Sequence, residues 1–150
     1  MAVKTGAATR TPIQLATVVV AVVFLLVGVL GFVPGITTDY DQLSLLGHMS
    51  GAALLGIFNV SVLHNVVHLL FGVVGVLAAR TPGGARSYLL IGGVIYLVLF
   101  LYGLLIPMDG PANFVPVNTA DNYLHLVLAV GMVGLGVALG RRATGVSRAH

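Results

Sequence analysis

From Ile13 to Val33 the chain carries no charged residue, and three further apolar stretches follow at about 50–79, 88–106 and 123–139. A helix of roughly 20 apolar residues is what crosses a hydrocarbon core of about 30 Å. In lipid, a segment must satisfy its own backbone hydrogen bonds, which a helix does. Only 7% of the residues are charged while 58% are hydrophobic, against about 25% charged in soluble domains. Such a chain could not cover a water-facing surface.

The charges between the runs are fully partitioned. Lys4 and Arg10 precede the first run, Arg80 and Arg86 separate the second from the third, and Arg141, Arg142 and Arg148 follow the fourth. All four acids, Asp39, Asp41, Asp109 and Asp121, lie in the two alternate connections. By the positive-inside rule the basic side is cytoplasmic. The expected fold is therefore all-α: an integral membrane bundle of four transmembrane helices, with both termini inside. It forms one domain over residues 1–150, with spans at about 13–33, 59–79, 88–106 and 122–140 and flexible tails at 1–11 and 142–150. The first run is too long for a cleaved signal core and lacks a small-residue cleavage site, so it reads as a retained span.

The second stretch exceeds what a bilayer needs. Either its helix overhangs, or Ser50 to Phe58 forms a short interfacial turn or helix before the span begins near Val60; Gly51, Gly56 and Asn59 favour the break. Glycines recur within the spans, at Gly28 and Gly31, Gly72 and Gly75, Gly92 and Gly93, and Gly131, Gly134, Gly136 and Gly140. Small residues of this kind let membrane helices approach closely. Each half of the chain is a hairpin with proline near its outer turn, Pro34 and Pro107. Each returning helix carries a Leu-His pair, Leu63-His64 and Leu124-His125, which suggests an internal repeat.

Ionisable residues inside a span are costly and so are the first functional candidates. His64 and His68 are four residues apart and share one helical face, with Asn65 beside them and Ser61 one turn outward. His125 sits in the fourth span with Asp121 one turn before it. The three imidazoles and the carboxylate converge in the outer half of the bundle by depth. Two uses are open. Neutral imidazoles suit a divalent transition metal, with His64, His68, His125 and Asp121 as ligands; haem would need basic partners for its propionates, and these lie on the other side. Alternatively the cluster fastens helices by hydrogen bonds, Ser61 and Asn65 included, and holds no cofactor. Under that reading Thr119 caps the fourth span and Asp121 sits in its first turn.

Several chemistries fall away. There is no cysteine, which removes thiol catalysis, disulfides and thiolate metal sites. A His-Glu-x-x-His protease helix needs a glutamate where Asn65 stands, and the chain has no Glu. The net charge of +3 forms no stripe for nucleic acid. No nucleophile–base set is visible, so the chain reads as non-catalytic. The expectation is an accessory or structural subunit that packs in a homo-oligomer or a larger membrane complex, with the lipid bilayer as its first partner. The alternative is a bundle with a metal or small-ligand site at the histidines.

Three strings carry a family resemblance: Gly28 to Thr38, reading GVLGFVPGITT; Leu63 to Gly72, reading LHNVVHLLFG; and Asn113 to His125, reading NFVPVNTADNYLH. Together they resemble a domain-of-unknown-function family of small four-helix membrane proteins found largely in high-GC Gram-positive bacteria. The resemblance spans residues 13 to 140. It implies the four-span fold and a bacterial plasma membrane, and it carries no activity.

Overall fold

The computed structural model describes residues 9–145, with side chains to residue 140. The tails expected to be flexible fall largely outside that range. Four helices dominate: α1 (Pro12–Leu30), α2 (Val62–Ala78), α3 (Pro82–Leu105) and α4 (Thr119–Gly145). Three stretches, Pro12–Leu30, Pro82–Leu105 and Thr119–Gly140, are long and apolar enough to cross a membrane, whereas α2 has 17 residues. Side chains such as Leu15, Leu26, Ile91, Leu105 and Val130 face outward and exposed. An apolar surface this extensive suits lipid rather than water.

The chain forms two helical hairpins. α1 packs along α2 and α3 along α4, while contacts between the hairpins are sparser. Each first helix opens on a threonine followed by proline, the N-cap and first-turn pairing that pre-sets helical φ. At α1, the Gln14 side-chain oxygen accepts from the Thr11 N–H at 3.0 Å and its hydroxyl at 2.9 Å. The Gln14 amide then donates to the carbonyls of Ala79 at 2.9 Å and Arg80 at 3.1 Å, which clasps the end of α2. At α3, Thr81 Oγ1 accepts the Gly84 N–H at 3.0 Å. This cap starts α3 at Pro82, ahead of the expected Tyr88. Arg86, read as part of a loop, therefore stands on α3, with its side chain lying against Gly140 of α4.

Aromatic rings fill the centre. Phe24 lies 4.8 Å edge-on from Phe71 and stacks on Tyr96 at 5.4 Å, and Phe71 meets Tyr88 at 5.1 Å. Offset and edge-to-face pairs of this kind add about 0.5–1.5 kcal/mol each beyond burial. The Tyr88 hydroxyl finds the Phe71 carbonyl at 3.2 Å.

The connection from α1 to α2 corrects the all-α expectation. No interfacial helix forms at 50–58. Instead β1 (Thr37–Thr38), β2 (Ala53–Leu54) and β3 (Phe58–Asn59) make a small antiparallel sheet in that order, with 3-10 turns at Tyr40–Gln42 and Gly47–Met49. Gly56 at φ 69° and Leu55 at φ 56° turn the chain back between β2 and β3, a geometry no helix allows. Ala52, Leu54 and Val60 bury beneath this sheet against Val27 and Leu30 of α1. The break before α2 matches the reading that the helix begins only near Val60.

Beside the sheet each hairpin closes on a glycine. A Cβ at Gly31 of α1 would overlap the Asn65 carboxamide of α2, and one at Gly103 of α3 would overlap that of Asn122 on α4. Gly72 and Gly75 are filled likewise by Leu25, Ala21 and Tyr88. Gly131 and Gly134, expected in the same role, have nothing within 4 Å among the described residues. Gly31→Val and Gly103→Val should each destabilise the fold by about 1–3 kcal/mol, because a well-packed contact has no room for added methyls. Gly131→Val and Gly134→Val should leave the thermal midpoint in detergent in place. Equal losses at all four positions would contradict this packing.

Candidate functional site

At the start of α2, Ser61 is the N-cap, and its Oγ accepts the His64 N–H at 3.1 Å. Its hydroxyl is thus used within its own helix. The His64 Nδ1 reaches the Asn59 carbonyl at 3.0 Å, and the His68 Nδ1 reaches the His64 carbonyl at 3.0 Å. A carbonyl oxygen only accepts, so both bonds require the Nδ1–H tautomer. In the neutral ring Nε2 is then left as a lone-pair acceptor. The two rings stand 4.2 Å apart at 70°, and His68 lies 5.6 Å from Phe24.

α4 opens on a reciprocal clasp. Asn118 Oδ1 accepts the Asp121 N–H at 2.9 Å, while Asp121 Oδ2 accepts the Asn118 N–H at 2.9 Å. This is a capping box with Asn118 as its cap, in place of the expected Thr119. The same Asp121 oxygen accepts the Asn59 N–H at 3.0 Å, and Asn118 donates to the Ile57 carbonyl at 2.7 Å. Asn59 is thereby held from both sides, its carbonyl by the His64 ring of α2 and its N–H by Asp121 of α4. His125 stands one turn past Asp121, 5.3 Å from Tyr96. It is 7% exposed, and its Nδ1 has no hydrogen-bond partner among the described residues.

The two hairpins repeat one arrangement. Asn65 sits over Gly31 with His68 one turn on beside Phe24; Asn122 sits over Gly103 with His125 one turn on beside Tyr96. Phe24 and Tyr96, the equivalent rings, stack on one another. The repeat is therefore Asn65-x-x-His68-Leu69 with Asn122-x-x-His125-Leu126. In this register His64 matches Asp121, and the Leu-His pairing read from sequence was displaced by one turn. Asn65 contacts α1 by packing: neither of its side-chain polar atoms has a partner among the described residues.

Between the hairpins lie two cavities that share His64, His68 and His125. The larger, about 180 Å³, runs between α1 and α4 beneath Leu54, Leu55 and Phe58, with Asp121 in its wall. The smaller, about 130 Å³, runs between α2 and α3 beneath Phe114 to Val117. Asn113 shapes that second cover, donating to the Met108 carbonyl at 2.7 Å and the Val117 carbonyl at 3.0 Å. The Tyr102 hydroxyl fixes it to α3 through the Ala112 carbonyl at 2.7 Å. Apart from the imidazoles and Asp121 the larger cavity is apolar. Among the described residues no group of three His or Asp side chains is disposed to hold a metal ion.

Asn113, Asn118 and Asn122 were not singled out by sequence reasoning, and Asn59 entered it only as a residue that favours a break before the second span. The Asn-x-x-His-Leu repeat and the Asn-x-x-Asp spacing before an apolar run were the signals available. Asp121→Ala leaves two N–H groups without their acceptor and should cost about 1–3 kcal/mol, with faster amide exchange at Asn59 and Asn118. Asp121→Asn keeps an acceptor oxygen and should cost less. Unchanged exchange at Asn59 in the alanine variant would contradict the clasp.

Among curated proteins none matches the chain, and none matches among solved structures. A family described as a domain of unknown function, DUF4383, matches residues 14–138, which covers both hairpins, both covers and every residue of the histidine cluster. The chain belongs to the DUF4383 family.

Proposed function

We propose that the chain is a non-catalytic integral membrane protein with four spans. Both termini lie in the cytoplasm of a bacterium, and the protein serves as an accessory or structural subunit of a homo-oligomer or larger complex in the plasma membrane. The observation that carries this is the use made of the polar side chains at the cover end. Asp121 Oδ2 accepts two backbone N–H groups and the His64 and His68 rings each donate to a carbonyl. These are fastening contacts.

The fourth span and the orientation rest on length and charge. α2 has 17 residues and spans about 26 Å, at the short end of what a bilayer requires. It runs back along α1, and Arg80 and Arg86 follow it, which supports a cytoplasmic position for that turn. The cover end, with Asp39, Asp41 and Asp109, then faces outward.

The lack of native cysteine makes the topology directly testable. In intact cells a membrane-impermeant maleimide should label Asp109→Cys. It should label Gly83→Cys, at a position with open space around it, only after permeabilisation. Labelling of Gly83→Cys from outside would remove α2 as a span. For the subunit role, purification in several mild detergents should bring down a stoichiometric partner or a defined homo-oligomer. A monomer in all of them would refute it.

A further inference from the structure

Fastening does not account for the larger cavity or for the His125 Nδ1 in its wall, which has no partner among the described residues. We propose that this cavity is the binding site for a lipid-soluble molecule with a hydroxylated six-membered ring, the hydroxyl lying among the imidazoles of His64, His68 and His125. This goes beyond the structural role, and it stands whether or not the chain has a protein partner.

Size selects the ligand first. A cavity of about 150 Å³ lined by aliphatic and aromatic side chains takes up benzene. The space between α1 and α4, at about 180 Å³, admits one ring, a longer apolar substituent having to run out through the mouth, and the 130 Å³ space on the other side of the histidines falls short. The wall is aliphatic from Val27, Leu30 and Leu128, with the Phe58 ring in the cover. The mouth is apolar as well: Val23, Leu26 and Leu55 border the cavity and are exposed on the outer surface. A molecule dissolved in the bilayer can reach the site without crossing water, whereas a charged one cannot.

The polar end of the cavity then selects the functional group. His64 and His68 use Nδ1–H on backbone carbonyls, so each offers Nε2 as an acceptor. His125 is more than nine-tenths buried and lines the same cavity, yet its Nδ1 has no partner among the described residues. Such a group is costly to leave unmet. A hydroxyl answers both needs, because it can donate to one imidazole while accepting from another. A phenolic O–H is a stronger donor than an aliphatic one, its pKa being near 10. A ketone or ester offers only an acceptor and would leave the Nε2 lone pairs unmet.

The test uses the full chain in detergent micelles, titrated calorimetrically with para-pentylphenol, pentylbenzene and octanol. Saturable binding of para-pentylphenol is expected, with pentylbenzene weaker by about tenfold, the worth of one good hydrogen bond, and octanol weaker because it lacks the ring that fills the cavity. His125→Phe keeps an aromatic ring, larger by one ring atom, and removes no hydrogen bond of the described residues, so it should fold while binding the phenol about tenfold more weakly. Val27→Phe fills the larger cavity and should abolish binding, whereas Val67→Phe, which lines only the smaller one, should leave it intact. The proposal is overturned if the phenol does not bind saturably, if pentylbenzene or octanol binds as well, or if Val27→Phe or His125→Phe binds like the wild type.

Discussion

A carboxamide seated on a glycine closes each helical hairpin, and most of the architecture depends on that contact. Asn65 against Gly31 and Asn122 against Gly103 bring the returning helix close to its outgoing partner near the cover end. With no side chain in the way, dispersion contacts between the helices replace the hydrophobic drive that lipid does not supply. One turn beyond each carboxamide, helical geometry aims the next polar residue along the same side. His68 and His125 are therefore delivered to the seam between hairpins, beside Phe24 and Tyr96. The close packing lies within hairpins and the free volume between them, which is why both cavities lie in the seams.

The covers solve a second problem. Irregular backbone near a bilayer must find internal partners, since lipid offers none. The 34–61 connection meets this with its small sheet and with Asn59, whose carbonyl and N–H are taken by His64 and Asp121 from different hairpins. The 107–118 connection forms no strand and instead organises around Asn113. The two covers touch where the Gly47 N–H donates to the Phe114 carbonyl at 2.6 Å. At the tip of the β2–β3 turn Leu55 holds a left-handed φ of 56°, unusual for a bulky residue. That strain sits at the mouth of the larger cavity. Strain of this kind persists where the surroundings over-determine it, and Gly56 and the Leu55 N–H bond to the Ile36 carbonyl at 2.8 Å do so here.

Helices were legible in the sequence because each apolar run extends over many turns. Their ends were less so. Pro82 and Thr81 start α3 in a stretch that hydropathy alone reads as loop, since a cap is a local hydrogen bond and leaves no mark on average polarity. The sheet was illegible because strands of two residues show no alternation; only Gly51 and Gly56 hinted at it. Asp121 and the three histidines were found by their cost in lipid, which depends on residue type alone. Their partners were missed for the converse reason: asparagine is ordinary in loops, and the roles of Asn59 and Asn118 come from contacts some 60 residues apart in sequence. The repeat was seen but misregistered, because the Leu-His pair was weighed above the Asn-x-x-His spacing that packing on glycine enforces. Gly131 and Gly134 show the limit of spacing as evidence, since a Cβ at either position meets nothing within 4 Å among the described residues.

The equivalent positions of the two hairpins are not used alike, and that asymmetry separates fastening from binding. Where α2 has His64, α4 has Asp121, and both side chains converge on the backbone of Asn59. Replacing either by an apolar residue strips a partner from a backbone group, so their presence is explained by the cover. His68 and His125 occupy the other equivalent pair. His68 returns one nitrogen to its own helix, and His125 has no partner for Nδ1 among the described residues. An apolar residue of the same shape in place of His125 would remove an unmet polar group, a change that is commonly neutral or stabilising. Stability alone therefore favours an apolar residue at 125. A histidine there has its physical justification in what enters the seam.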